Sequence, residues 1–183
     1  MRKTLLELLI FIACCVGVFA QSTSGKQTPQ EEWKAYQAQS ALFREQVTAA
    51  FDREMARQKA GDCREATTTY AIGECLAKET ETTTMNYKEY TGALRSLLGL
   101  VYPGGETLAQ GPSGKPLTSK ELVKEFDTAE AAWQQYREAI CRAAADQFLG
   151  GTIFYLEGGY CQLMLVRSHM RELDTIYNMR LHH

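Results

Sequence analysis

Apolar residues return every three or four positions through most of this chain, the spacing that lines one side of an α-helix. From position 119 onward, Leu122, Phe126, Ala129, Trp133, Tyr136 and Ile140 share one such face, and Phe148 lies near it further along. Ser119 is the expected N-cap of this helix and Gly150-Gly151 its expected stop. Beyond the glycines, Leu163, Val166, Met170, Leu173 and Tyr177 repeat the pattern on another helix. Thr152 is placed to cap its start, and Gly158 and Gly159 loosen its first turns. Upstream, residues 31–59 carry Trp33, Tyr36, Phe43, Val47, Ala50 and Phe51 among many charges, a long amphipathic helix ended by Gly61. A further helix is expected over 68–98, burying Ala71, Cys75, Met85, Tyr90, Leu94 and Leu97, although threonines at 80, 82, 83 and 84 make a β-branched patch in its middle. The expected fold is therefore all-α, an antiparallel bundle or set of hairpins with about four long helices. Residues 100–118, rich in proline and glycine and poor in large apolar side chains, read as a long loop between the second and third helices.

The extreme N-terminus changes the picture, because it bears on the compartment. MRK is positively charged, LLELLIFIACCVGV is mostly apolar, and Val18-Phe19-Ala20 precedes Gln21 with small residues where a signal peptidase reads. Residues 1–20 are expected to be a signal peptide, which leaves no membrane span after cleavage and makes the mature chain periplasmic or secreted. An uncleaved membrane anchor, and attachment to lipid through Cys14 after Phe11-Ile12-Ala13, are the alternatives. The expected layout is a leader at 1–20, an N-terminal amphipathic helix within 21–61, and a helical domain at 62–183 that carries the loop at 100–118.

Removing the leader leaves Cys63, Cys75, Cys141 and Cys161, an even set in an oxidising compartment, which argues for two disulfides. Spacings of eleven and nineteen intervening residues do not form the paired knuckles of a zinc site, and no C-x2-C redox motif is present. No metal or other cofactor is expected. Cys141 and Cys161 flank Gly150-Gly151 almost symmetrically, so a helical hairpin reversing at the glycines lifts each cysteine about 14 Å from the turn, at matching heights. Cys63 and Cys75 would stand about 18 Å apart on a continuous helix, so the chain must bend between them to join them. Four cysteines allow three pairings, and local pairing is the one adopted.

The mature chain of 163 residues has the size of one domain and a formal charge of −3, against −2 for the whole chain. That balance offers no electrostatic case for nucleic acid. Walker, dinucleotide, H-E-x-x-H and G-x-S-x-G motifs are absent. The histidines are His169, a surface or internally satisfied residue, and the tail residues His182 and His183. Glu79, Glu81, Glu130 and Glu138 read as solvated helix faces, and the chain is not expected to be an enzyme. Trp133, Arg137 and Cys141, at i, i+4 and i+8, lie along one side of a helix. Stacking of Arg137 on Trp133 is the favoured reading, and capture of a partner's carboxylate the alternative.

Cys63-x11-Cys75, Trp133-x2-Tyr136-Arg137-x3-Cys141, Gly150-Gly151-Thr152 and Cys161 together resemble the lysozyme inhibitor LprI-like N-terminal domain family over roughly 62–173. Met85-Asn86 and Tyr90 approximate a further Leu-Asn-x2-Tyr signal, whereas Val166 and His169 stand where that family often has Thr and Arg. The resemblance implies an exported, disulfide-stapled, non-catalytic helical protein that binds a lysozyme or another envelope protein. A protruding group would have to enter the cleft where a muramidase's two carboxylates act. The loop is the candidate, with Tyr102, Gly104, Gly105, Glu106, Gln110 and Lys115 as its contact residues. The alternative is a structural or envelope-stress interaction domain without action on lysozyme, using the helix at 31–59 as its contact surface.

Overall fold

The computed structural model describes residues 28–105, 107–110, 114 and 116–182; the expected leader, Glu106, Lys115 and His183 lie outside the described residues. Four long helices dominate: α1 (Pro29–Ala60), α2 (Thr69–Leu98), α3 (Ser119–Asp146) and α4 (Phe154–Ile176). A two-stranded hairpin, β1 (Thr107–Gln110) and β2 (Pro116–Thr118), lies between α2 and α3, and a short α5 (Asn178–His182) closes the chain.

Capping explains several of the boundaries. Thr28 and Glu31 form a capping box at the start of α1, with Pro29 in the first turn where a missing N–H costs nothing. The Thr68 hydroxyl accepts from the Ala71 amide to start α2. Thr118, not Ser119, caps α3 in a second box with Glu121. Ser119 is instead the first helical residue, buried, with its hydroxyl donating to the Leu100 carbonyl at 2.7 Å. α3 stops at Asp146, ahead of Gly150-Gly151; the intervening turns tighten through Phe148 N–H to Ala145 O and Leu149 N–H to Asp146 O. Thr152 does not cap α4, whose N-cap is Ile153 with no side-chain bond.

α2 is the central helix, packed against α1 and α4, while α3 lies on α4. Tyr90, Leu94 and Leu97 of α2, Val47 and Ala50 of α1, Phe126 of α3, and Val166, Met170 and Leu173 of α4 form the shared core, which Leu181 of α5 completes. Fully burying each large apolar side chain stabilises by about 1.5–3 kcal/mol, so the core outweighs either staple in total. α4 passes close to α2 at Gly159, where an added Cβ would stand 3.3 Å from that of Leu76.

Both disulfides pair locally. Cys141–Cys161 joins α3 to α4 with a Cα–Cα distance of 5.4 Å, and Cys63–Cys75 ties the α1–α2 connection to the first turns of α2 at 5.8 Å. The bend that the second bridge requires comes from Gly61, at φ +85°, and from Cys63 itself, at φ +54°. At Gly61 a side chain would also collide with the Arg64 guanidinium.

Three expectations about packing are corrected. The buried side of α3 is rotated from the apolar stripe: Phe126, Glu130, Cys141 and Ala145 are buried and Trp133 and Arg137 half-buried, whereas Ala129, Tyr136 and Ile140 face solvent. Met85 is also exposed, its inward place on α2 taken by Asn86 and Tyr87. The 100–118 segment contains the hairpin, paired Thr107 with Thr118, Ala109 with Leu117 and Gln110 with Pro116, around a register irregularity between Thr107 and Ala109.

Candidate functional site

At the end of the bundle where α2 finishes, the chain turns outward through Val101, Tyr102, Pro103, Gly104 and Gly105. The turn closes with Gly105 N–H donating to Tyr102 O, and Gly104 and Gly105 take φ values of +95° and +150° that L side chains rarely adopt. Tyr102 packs against α1, its ring centroid 4.8 Å from Tyr36 and 6.3 Å from Trp33. Trp33 and Tyr36 meet edge to face at 5.7 Å. The Arg180 guanidinium lies 6.0 Å from the Tyr102 ring. Burial, reinforced by the neighbouring Tyr102, pushes the Tyr36 phenol up to about 12, so it stays protonated in neutral solution. A cleft of about 360 Å³ opens between Tyr36, Tyr102 and the glycine turn. Of the expected loop contacts, Tyr102, Gly104 and Gly105 therefore share one face with Trp33 and Tyr36, Gln110 ends β1, and Glu106 and Lys115 lie outside the described residues.

The residues of the Trp-Tyr-Arg-Cys pattern serve a different end. The Arg137 guanidinium lies 5.2 Å from the Trp133 ring, the expected stack. Trp133 also stacks on His169 of α4, with centroids 4.0 Å apart and planes within 10°. His169 Nε2 reaches Glu130 at 2.8 Å and Nδ1 reaches Glu172 at 2.9 Å. Both ring nitrogens thus face carboxylate oxygens, a geometry that favours the protonated imidazolium over the neutral ring. Burial disfavours that charge, but the two carboxylates outweigh it and hold the His169 pKa above its ordinary value. Tyr87 donates its hydroxyl to Glu130 from α2. Glu130 is thus a buried bridge between three helices and not a solvated residue, whereas Glu138 is exposed as expected. Tyr136, the remaining aromatic of the pattern, points outward.

A second polar cluster lies deeper, and sequence reasoning missed it. Glu54, 0 % exposed, accepts from Arg167 Nε (2.7 Å), Thr83 Oγ1 (2.7 Å), Asn86 Nδ2 (2.7 Å) and Arg57 Nη1 (2.8 Å). Arg167 also holds Asp62 through two parallel bonds of 2.5 and 2.9 Å, and Arg57 pairs with Glu79. Burial pushes the Glu54 carboxyl up, yet four donors together leave it below the usual carboxylate range. Each of these charges is matched by another in the same cluster, an arrangement suited to fixing the register of α1, α2 and α4. A signal was present: Val47, Ala50 and Glu54 are spaced as one helix face, so a charge occupied a core position. Among the described residues no group of three His, Cys, Asp or Glu is arranged to hold a metal ion.

These features define a class first, an all-α bundle with disulfide staples and a core keyed by buried ion pairs. The chain belongs to the Lysozyme inhibitor LprI family, whose family model matches residues 60–173, more than half of its length. No curated protein and no solved structure matches it. The family is one of inhibitors and hence of non-catalytic proteins, and with the disulfides it points to an extracytoplasmic protein. No described helix is long and apolar enough to cross a membrane.

Proposed function

We propose that this chain is exported through cleavage of residues 1–20 and acts as a periplasmic or secreted binding protein that captures a lysozyme and blocks its activity. Family membership over 60–173 is the observation that carries this reading. The contact face is the glycine turn and hairpin with the aromatic cluster of Trp33, Tyr36 and Tyr102. Trp33 and Tyr102, exposed beside the glycine turn, suit contact with an enzyme cleft, where aromatic anchors dominate binding energy. Glu106, Gln110 and Lys115 are further candidate contacts from the same stretch of sequence. The test is titration of the oxidised protein against c-, g- and i-type lysozymes, reading binding heat and residual muramidase activity together. Saturable binding with loss of activity, weakened by Tyr102→Ala or by deletion of 104–114 at unchanged helicity, supports the proposal. Binding that these variants leave intact moves the contact face elsewhere, and absence of binding across the panel overturns the function.

A second reading is an interaction domain for another envelope protein. It is favoured by one observation, that α1 lies almost wholly outside the family match and exposes Leu42 and Trp33. Deleting α1 is no test of it, because Val47, Ala50 and Glu54 belong to the core. Crosslinking with Leu42→Glu as the comparison is, and capture that survives this substitution counts against α1 as the contact surface.

A further inference from the structure

A groove of about 830 Å³ runs between the first turns of α2 and those of α4, at the end of the bundle opposite Tyr102. It exists because side chains are small or missing where the helices would otherwise fill it. Gly73 of α2 and Gly159 of α4 carry no Cβ, and the leucines Leu76 and Leu156 supply an apolar floor. Its size and lining fall in the range of small-molecule sites.

Two aromatic side chains stand beside this groove largely in solvent, Tyr70 at 75 % and Tyr155 at 78 % exposure, one from each helix. Glu74 is the single charged residue lining it. The Tyr70 hydroxyl donates to Glu74 Oε1 at 2.8 Å, and among the described residues Glu74 has no ion-pair partner. That separates it from Glu54, Glu79, Glu89, Glu130 and Glu172, each of which faces a cation or His169. The wider depression between α2 and α3 has no such bias, because Lys120, Lys124 and Arg95 line it together with Glu121 and Asp127.

We propose that this groove binds an aliphatic amphiphile with a cationic head group. The chain lies along the floor beside Gly73 and Gly159, where removal of methylenes from water drives binding. The head sits at Glu74, facing its carboxylate beside Tyr70 and Tyr155, an environment whose only lining charge favours amines and quaternary ammonium groups. An anionic head meets Glu74 with no lining cation to offset it, so fatty carboxylates and alkyl sulfates are rejected. This site does not rest on the lysozyme reading and uses a different end of the molecule.

The experiment is calorimetric titration of the purified oxidised protein with decyltrimethylammonium below its micellar concentration, with decyl sulfate and decyl glucoside as charge controls. Saturable one-site binding of the ammonium is expected, with the sulfate at least about tenfold weaker. Gly73→Leu fills the groove from a helical position where a Cβ finds only Leu156, at 3.7 Å, so it should weaken ammonium binding at least about tenfold at unchanged helicity. Glu74→Gln should abolish the preference for ammonium over glucoside. Tyr155→Ala changes an exposed ring and gives the same reading if Gly73→Leu fails to fold. Equal binding of sulfate and ammonium, or ammonium affinity unchanged in Gly73→Leu or, failing that, Tyr155→Ala, overturns the proposal.

Discussion

Arg167→Met is the substitution that asks most of the buried cluster. Methionine approximates the length of the arginine stem, so the change removes charge and donors while leaving little space. Arg167 is 2 % exposed and Glu54 0 %, so water cannot take over the lost interaction. Glu54 would keep Thr83, Asn86 and Arg57, while Asp62 would lose both of its bonds to Arg167. Removing one partner of a buried pair costs about 3–5 kcal/mol, and here Asp62 would be left without its cation and Glu54 with Arg57 alone as its cation. For a chain of this size that corresponds to a fall in Tm of about 6–20 °C. Thermal and urea unfolding followed by circular dichroism measure it directly. Glu54→Gln placed on the Arg167→Met background should recover at least about 1 kcal/mol relative to the sum of the single changes, since the Glu54–Arg167 bond that each single change breaks is lost only once. A loss below about 1 kcal/mol for Arg167→Met, or strict additivity in the double variant, would refute the claim that this pair keys the core.

Three further outcomes follow from the same physical reasoning. His169 has a raised folded pKa, so its contribution is fully present below its unfolded value of about 6.5 and is lost as pH rises through the folded value. The Tm should therefore decline on the alkaline side of that window, and His169→Gln should flatten the decline; Glu130, Glu172, Tyr87 and Trp133 are the groups that face the ring. The Tyr90 hydroxyl is buried with no hydrogen-bond partner among the described residues, so Tyr90→Phe should leave stability unchanged or raise it by up to about 1 kcal/mol in urea unfolding. Replacing Cys141 and Cys161 together by serine should cost about 3 kcal/mol with the fold retained, because the apolar core is shared by the helices independently of the staple; complete loss of helicity at room temperature would contradict this.

Legibility in the sequence varied with how many residues carried each feature. The four helices each repeat their pattern over many turns, and the near-symmetry of Cys141 and Cys161 about Gly150-Gly151 left little geometric choice for that bridge. The face of α3 was misread because its true inward line, through Phe126, Glu130, Trp133, Arg137 and Cys141, contains two charged residues, while the line through Ala129, Tyr136 and Ile140 is apolar throughout. Hydrophobic periodicity cannot recognise a carboxylate whose partners come from other helices. Thr118-Ser-Lys-Glu121 does carry the spacing of a capping box, so the α3 boundary was readable one residue earlier than Ser119. The β1–β2 hairpin was not, because strands of four and three residues among glycines and prolines give alternation too few positions to register. The Tyr36–Tyr102 contact is equally invisible, since it joins residues far apart in the chain through tertiary packing alone.

Asp62 and Cys63 are adjacent, and their neighbourhood has a bearing on when the molecule becomes complete. The disulfide to Cys75 secures the bend that presents Asp62 to Arg167, so a covalent bond and a buried guanidinium converge on the same short link. In the reduced chain that link is free to open, and Arg167 then loses the carboxylate that balances its second edge. Oxidation thus acts as a latch on the charge balance of the interior as well as on chain entropy. A cell that keeps its thiols reduced would hold this protein short of its final stability, and an oxidising compartment would finish it.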